Sequence, residues 1–341
     1  MFSSTKSTNV PLHDDGPVVA WLFIMALLVA IMVVIGGVTR LTGSGLSMTE
    51  WRPLLGTLPP MSVAEWDRVF ALYKASPEYD AINFGMDLAD FKTIFFWEYF
   101  HRLWGRLLGV AFALPLLGFW IAGRIPAGYG SRLIILLILG GFQGVVGWWM
   151  VKSGLTDDAS VSQYRLATHL GMALIIFSLL IWTALDILYG KSQMPRGHAA
   201  ATIVLVAITI LAGALVAGLD AGLLYNEYPL MGSGLIPTEY GEQGFSDPFE
   251  NPASAQFHHR WVAVLAVLSV IGLALGAKRN GCAKSYKAAH VAIAMVSVQF
   301  ILGITTLLHG VPVALGGLHQ AGAVALLGSV IWLSHGLASD R

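Results

Sequence analysis

The 341-residue sequence predicts an all-α polytopic membrane protein, with eight transmembrane helices arranged as two four-helix bundles related by a pseudo-twofold axis. Three observations predict this. Apolar runs of spanning length, about 20 residues, recur along the whole chain. Only 12% of the residues are charged and 56% are hydrophobic, whereas a soluble domain carries about 25% charged residues. The motifs of the first half also return, in order, in the second.

The apolar runs place spans at 17–38, 97–122, 132–151, 164–187, 199–219, 256–277, 287–309 and 314–337. The N-terminal "MFSSTKSTNVPLHDDG" lacks the basic region and small-residue cleavage site of a signal peptide, so the first run is expected to stay in the membrane. Only two connections are long, 39–95 and 220–255. The short connections 122–132, 188–198 and 278–287 carry Arg124, Arg132, Lys191, Arg196, Lys278, Arg279, Lys284 and Lys287 and no acid. The connection 220–255 carries six acids and no Lys or Arg. The positive-inside rule therefore puts both termini in the cytoplasm and both long loops outside. The "TGSG" and Pro-rich character of 39–95 suggests an ordered, turn-rich lid, and the acidic 237–250 piece reads as a solvated loop. The formal net charge is zero, which leaves no basic footprint for nucleic acid. A single cysteine, Cys282, excludes an internal disulfide and a cysteine metal cluster.

The long loops follow spans one and five, as a four-plus-four duplication would place them. "FHR" at 100–102 pairs with "HHR" at 258–260, "QGVVG" at 143–147 with "QFILG" at 299–303, and "HLG" at 169–171 loosely with "HQAG" at 319–322. The outer-loop segment "EWRPLLG" (50–56) resembles "EYPLMG" (227–232). Four spans per half give both halves the same orientation, with the repeat axis along the membrane normal.

Four of the ten histidines, His101, His169, His259 and His319, fall at repeat-related places near the outer ends of spans two, four, six and eight. Four residues later stand Gly105, Ala173, Ala263 and Ala323, on the same helical face. That pattern leaves room for a flat group beside each imidazole, as a porphyrin with axial histidines requires. It gives one bis-histidine site per half. The competing readings are a histidine that pairs with a polar neighbour between helices and a zinc site, which would prefer a compact cluster. Arg102 and Arg260 follow a candidate ligand directly. Each could pair with a haem propionate or anchor the helix at the interface.

His258 faces about 100° away from His259 on a helix, so His259, which precedes Arg260 as His101 precedes Arg102, is preferred. Gln143 and Gln299 read as interhelical hydrogen-bonding groups. His309 could line the second site, while His198, His290 and His335 fall on the cytoplasmic side and read as incidental. Glu98 lies three residues before His101 and shares its face, whereas its repeat counterpart is Gln256. A carboxyl at the membrane edge suggests proton transfer or charge stabilisation in the first half, against a helix-dipole or Arg102-pairing role. Every candidate ligand is near the outer face, which counts against an electron wire between both membrane faces. The runner-up is nevertheless a quinone-linked di-haem b-type cytochrome that does not modify haem. A transporter is disfavoured by largely unbroken, apolar mid-membrane segments.

"GGVTRLTGSGLSMTEWRPLLGTLPP" (36–60), "EYFHRLWGRLLG" (98–109), "QFHHR" (256–260) and "LGGLHQAGAVALL" (315–327) together resemble the haem A synthase family over the whole chain. Lacking loop cysteines, the chain is similar to the cysteine-poor alphaproteobacterial and mitochondrial branch. The resemblance implies that residues 1–190 take haem O between His101 and His169, with Glu98 catalytic. It implies that residues 191–341 keep a haem b between His259 and His319. The implied reaction converts the C8 methyl of haem O to a formyl group. Two hydroxylations give a gem-diol, which loses water to leave haem A. Expected partners are haem O, an electron donor or acceptor, haem O synthase and cytochrome oxidase assembly factors, with a homo-oligomer admitted. The expected location is the bacterial inner membrane, with the haem sites toward the periplasm.

Overall fold

The structure is a computed structural model that describes residues 15–50, 57–156, 159–279 and 283–339. Eight of its helices are long and apolar enough to cross a membrane. They are α1 (Gly16–Leu41), α4 (Leu88–Ile121), α5 (Gly130–Thr156), α6 (Gln163–Tyr189), α7 (His198–Gly218), α9 (Pro252–Arg279), α10 (Ala283–Leu308) and α11 (Val313–Ser339). The long connections hold α2 (Val63–Lys74), α3 (Pro77–Ala81) and α8 (Asp247–Glu250). His13, Cys282 and most of the "EWRPLLG" match, residues 51–56, lie outside the described residues.

The core lies where the halves meet. α1 packs on α4, α6 and α11; α6 packs on α7; and α11 packs on α6, α7 and α10. Leu22, Leu180, Val270, Ala274, Leu327, Val330 and Ile331 are among the buried side chains that fill this centre. In contrast, α4 and α5 turn Leu107, Val110, Leu114, Ile135, Ile138 and Phe142 outward, as lipid-facing helices can. Indole N–H groups fix the α1–α4 seam, where Trp21 donates to the Ala111 carbonyl at 3.1 Å and Trp104 to that of Leu28 at 3.1 Å. α4 runs through Pro115 without a break.

α4 starts at Leu88 instead of near 97. Asp87 caps it, accepting from the backbone N–H groups of Ala89 and Asp90, a standard way to satisfy orphan donors. The added outer turns carry Phe91, Ile94 and Phe95, which pack with Phe70 and Tyr73 of α2 into a small separate core. Apolar periodicity alone missed this start because the extension buries its face against a loop domain. The described residues of the 39–95 connection, 39–50 and 57–95, therefore form an outer cap with its own helices and core.

The 237–250 piece is largely solvent-exposed, as expected, but it is built around one buried acid. Asp247 is 2% exposed and accepts from the backbone N–H groups of Gly241 and Gln243 and from the Asn251 amide. One acid thus organises an otherwise exposed loop around itself. His335, by contrast, is not incidental. It is 1% exposed and lies 3.0 Å from Asp186, which also pairs with Arg132 at 2.5 Å. This charged cluster ties α5, α6 and α11 together across the two halves.

Candidate functional site

The four histidines meet in two pairs. The ring centroids of His101 and His169 are 6.5 Å apart, and those of His259 and His319 are 6.4 Å apart. A metal held between two imidazoles at about 2 Å from each nitrogen puts the rings roughly 6 Å apart, so both spacings fit a bis-imidazole centre. Among the described residues no group of three or more His, Cys, Asp or Glu side chains forms a metal cluster. Such clusters mark closed zinc sites; the paired arrangement suits a cofactor that brings its own in-plane donors.

A feature absent from the sequence reading shapes each pair. Every imidazole lies against a glycine of the preceding transmembrane helix. A Cβ on Gly147, Gly213 or Gly303 would lie 3.0, 3.0 and 2.9 Å from Cε1 of His169, His259 and His319, respectively. One on Gly36 would lie 3.2 Å from Nε2 of His101. The clearance therefore comes from neighbouring helices. Of the small residues four positions after the histidines, Ala173 and Ala323 pack against the central core, and Gly105 faces Met32. The sequence held a signal for two of these glycines, since Gly147 and Gly303 end the repeated "QGVVG" and "QFILG".

The glutamines of those repeats bond across to the histidine helices. Gln143 donates to the His169 carbonyl at 3.0 Å, and Gln299 to the His319 carbonyl at 2.9 Å. Both are interhelical hydrogen bonds, as expected. The imidazoles themselves are held differently in the two halves. His259 Nδ1 lies 3.1 Å from the Thr209 carbonyl, and His319 Nδ1 lies 3.1 Å from the Gln299 amide nitrogen. His169 Nδ1 is buried with no partner. His258 turns away from the pair, toward the Ser254 carbonyl and the Tyr240 hydroxyl, which leaves His259 as the member that faces His319.

Glu98 is 2% exposed. Its carboxylate accepts from the Ser47 hydroxyl at 2.7 Å and the Met48 backbone N–H at 2.7 Å, and it is paired with Arg102. Charge-assisted bonds of this kind offset the cost of burying a carboxylate. Arg102 also donates to the carbonyls of Met48 and Glu50. The pair therefore clamps the lid onto α4 one turn from His101. Glu98 is directed toward the lid and Arg102, even though it shares a helical face with His101.

The second half repeats the clamp without the charge. Gln256 donates to the Tyr225 carbonyl at 3.0 Å, and Arg260 donates to the carbonyls of Tyr225 and Leu230. Gln256 and Arg260 keep the i, i+4 spacing of Glu98 and Arg102. Both arginines are thus engaged with loop backbone and not extended into an interface. Arg260 Nε is buried and keeps a donor without a partner. His309 is exposed and bonds to the Thr305 carbonyl of its own helix.

Fold and site together define a multi-pass helical membrane protein with two pairs of facing imidazoles, one on α4 and α6 and one on α9 and α11. Residues 19–331 match the cytochrome oxidase assembly protein family, and the chain belongs to it. Its relatives include proteins named heme A synthase. One from Parvibaculum lavamentivorans is 48% identical over 324 residues, 93% of each chain. One from Caulobacter sp. (strain K31) is 49% identical over 319 residues, 91% of this chain and 93% of the relative. One from Nitrosospira multiformis is 43% identical over 343 residues, 97% of this chain and 96% of the relative.

Proposed function

We propose that this protein is a haem A synthase, an oxidoreductase that converts the C8 methyl of haem O to a formyl group for use in cytochrome oxidase. One observation carries the division of labour: the halves share a histidine pair and a lid clamp, yet only the first places a carboxylate, Glu98, in that clamp. Residues 1–190 form the substrate half and residues 191–341 the cofactor half, the two related by a pseudo-twofold axis.

In this reading His101 and His169 hold the substrate haem, and His259 and His319 hold a resident haem b, which supplies electron transfer when bound. Arg260 offers its spare Nε–H to a propionate of that group. Arg102 acts at the first site by fixing Glu98 and the lid backbone. Glu98 receives or returns a proton at its carboxylate while the ring methyl is oxidised. Its bonds to Ser47 and Met48 make its position depend on a closed lid, which also keeps water from the reacting carbon. Lipid-facing α4 and α5 suit a substrate as apolar as a prenylated haem. The sites face the periplasmic side of the inner membrane with both termini cytoplasmic. Haem O synthase and oxidase assembly factors are the natural partners for delivery and uptake.

The test is expression of Glu98→Gln and His101→Ala in cells that make haem O, with chromatography of the extracted haems. Loss of haem A in both supports the assignment; haem A at the parent rate in both removes it. The purified parent should show a low-spin bis-histidine haem spectrum.

A further inference from the structure

We infer that Gln299 is a positioning residue for His319: its side-chain amide orients the imidazole and accepts a hydrogen bond from Nδ1–H when Nε2 binds iron, a contact that Gln143 does not make to His169. This inference rests on the haem-ligand reading above.

The geometry is specific. The Gln299 amide nitrogen is 3.1 Å from His319 Nδ1 and 2.9 Å from the carbonyl of the same residue. Its Oε1 is buried with no partner. Oε1 occupies space that only glycine leaves open, 2.2 Å from where a Cβ on Gly322 would stand. The amide group is therefore packed against one side of the histidine helix, with one polar end unused.

A neutral imidazole carries one proton. When iron takes the Nε2 lone pair, that proton must sit on Nδ1, where it needs an acceptor. The Gln299 NH₂ cannot accept, but its carbonyl can. A half-turn of the terminal amide brings Oε1 to Nδ1–H and moves the NH₂ into the space beside Gly322. Because the amide nitrogen now stands 2.9 Å from the His319 carbonyl, Oε1 must also tilt away from that oxygen toward Nδ1; the carbonyl loses this donor and keeps its partner one helical turn on. His259 needs no such adjustment, because Nδ1 already faces the Thr209 carbonyl. Both imidazoles of the second half thus have a partner group at Nδ1.

Gln143 occupies the repeat-related place but reaches only the His169 carbonyl. Its Oε1 and His169 Nδ1 are both buried and unpartnered. It holds the helix and leaves the ring free, as suits a site whose haem arrives as substrate and leaves as product.

An acceptor at Nδ1 makes the imidazole a stronger donor and favours ferric iron. The experiment is a redox titration of purified full-length protein. It is carried out in a His101→Ala background so that the second-half haem alone is read by its low-spin optical bands. Gln299→Leu should raise the midpoint potential and Gln299→Glu should lower it, while Gln143→Leu should leave it in place. If Gln299→Leu does not accumulate, the near-isosteric Gln299→Glu carries the test alone. A parent potential in Gln299→Glu with the haem retained overturns the inference, as does an equal shift from Gln143→Leu. Absence of low-spin haem in the His101→Ala parent would instead overturn the haem-ligand reading itself.

Discussion

The two halves hold their histidine pairs at nearly the same separation, 6.5 and 6.4 Å. They share a glycine seat for every ring and an i, i+4 clamp on an outer loop, yet they differ in helix packing and in the grip on the rings. In the second half α9 packs along α10, and both imidazoles meet a partner group at Nδ1. In the first half α4 and α5 touch only sparsely, and His169 has no hydrogen-bond partner at Nδ1. The loop clamp of the first half, made by Glu98, Arg102, Ser47 and Met48, carries a carboxylate charge that the Gln256–Arg260 clamp of the second half lacks. The contrast teaches which parts of a paired-imidazole site are held in common and which vary. Ring separation is set by the helices and is alike in both pairs. The grip on each ring depends on a few side chains and is free to diverge.

The largest expected effect removes the charge that distinguishes the halves. Glu98→Gln keeps the shape but turns an amide NH₂ toward either Arg102 or the Met48 N–H, so it loses one lid contact together with the proton acceptor. Haem A formation should fall by about 10²-fold or more, the range for losing general acid–base catalysis. The second-half haem spectrum should be unchanged. Equal loss of both would show that Glu98 serves the fold and would dissolve the contrast.

Next come the glycine seats. A side chain on Gly303 must displace His319, since even a Cβ would approach Cε1 to 2.9 Å. Gly303→Val should abolish the low-spin haem of the second half. Gly147→Val, by the same contact with His169, should abolish haem A formation and spare that haem. Quantitative haem extraction beside optical spectra reads both. Variants that each damage both sites would mean the pairs are not independent.

Much of this was legible in the sequence. Eight spans, four repeat-related histidines and the Glu98–Gln256 difference follow from hydropathy and motif order. What stayed hidden depends on contacts between segments far apart in the chain. Gly36 meets His101, and Gly213 meets His259, across long loops whose lengths differ. No local pattern marks such a seat. The start of α4 at Leu88 was hidden because its added turns bury Phe91 and Phe95 against α2 and not in a membrane. His335 was misjudged for a related reason, and the burial of Asp247 inside an exposed loop was hidden in the same way. Composition reports a residue's polarity, whereas burial depends on the partners that satisfy it.

A smaller effect should separate the lid from the bundle. Ser47 donates to Glu98 and packs with 2% or less exposure of either side chain's residue. Ser47→Ala leaves one of the carboxylate's hydrogen bonds unmade, at a cost of about 1–3 kcal/mol for a bond to a charged group. Amide exchange should quicken in residues 44–48 and in the first turns of α4, and stay at the parent rate in α9 and α11. Uniform acceleration would mean that lid and bundle open together.

The smallest expected effect is a pH dependence confined to the lid. Burial pushes the Glu78 carboxyl up to about 7; the Tyr73 hydroxyl that donates to it opposes the shift, and the nearby Glu98 charge adds to it. The folded lid therefore binds this proton more tightly than the unfolded chain does. Its stabilising effect is complete below the ordinary carboxylate range and is lost as pH rises through about 7. Amide exchange in α2 and α3, corrected for intrinsic rates, should quicken between pH 5 and 8 in the parent. Glu78→Gln, which keeps a hydrogen-bonding group without the charge, should flatten that dependence. A flat parent profile would show that Glu78 does not titrate in this window. The second half offers the control, because its clamp of Gln256 and Arg260 on loop carbonyls contains no carboxyl. Its loop should keep one exchange rate across the same range.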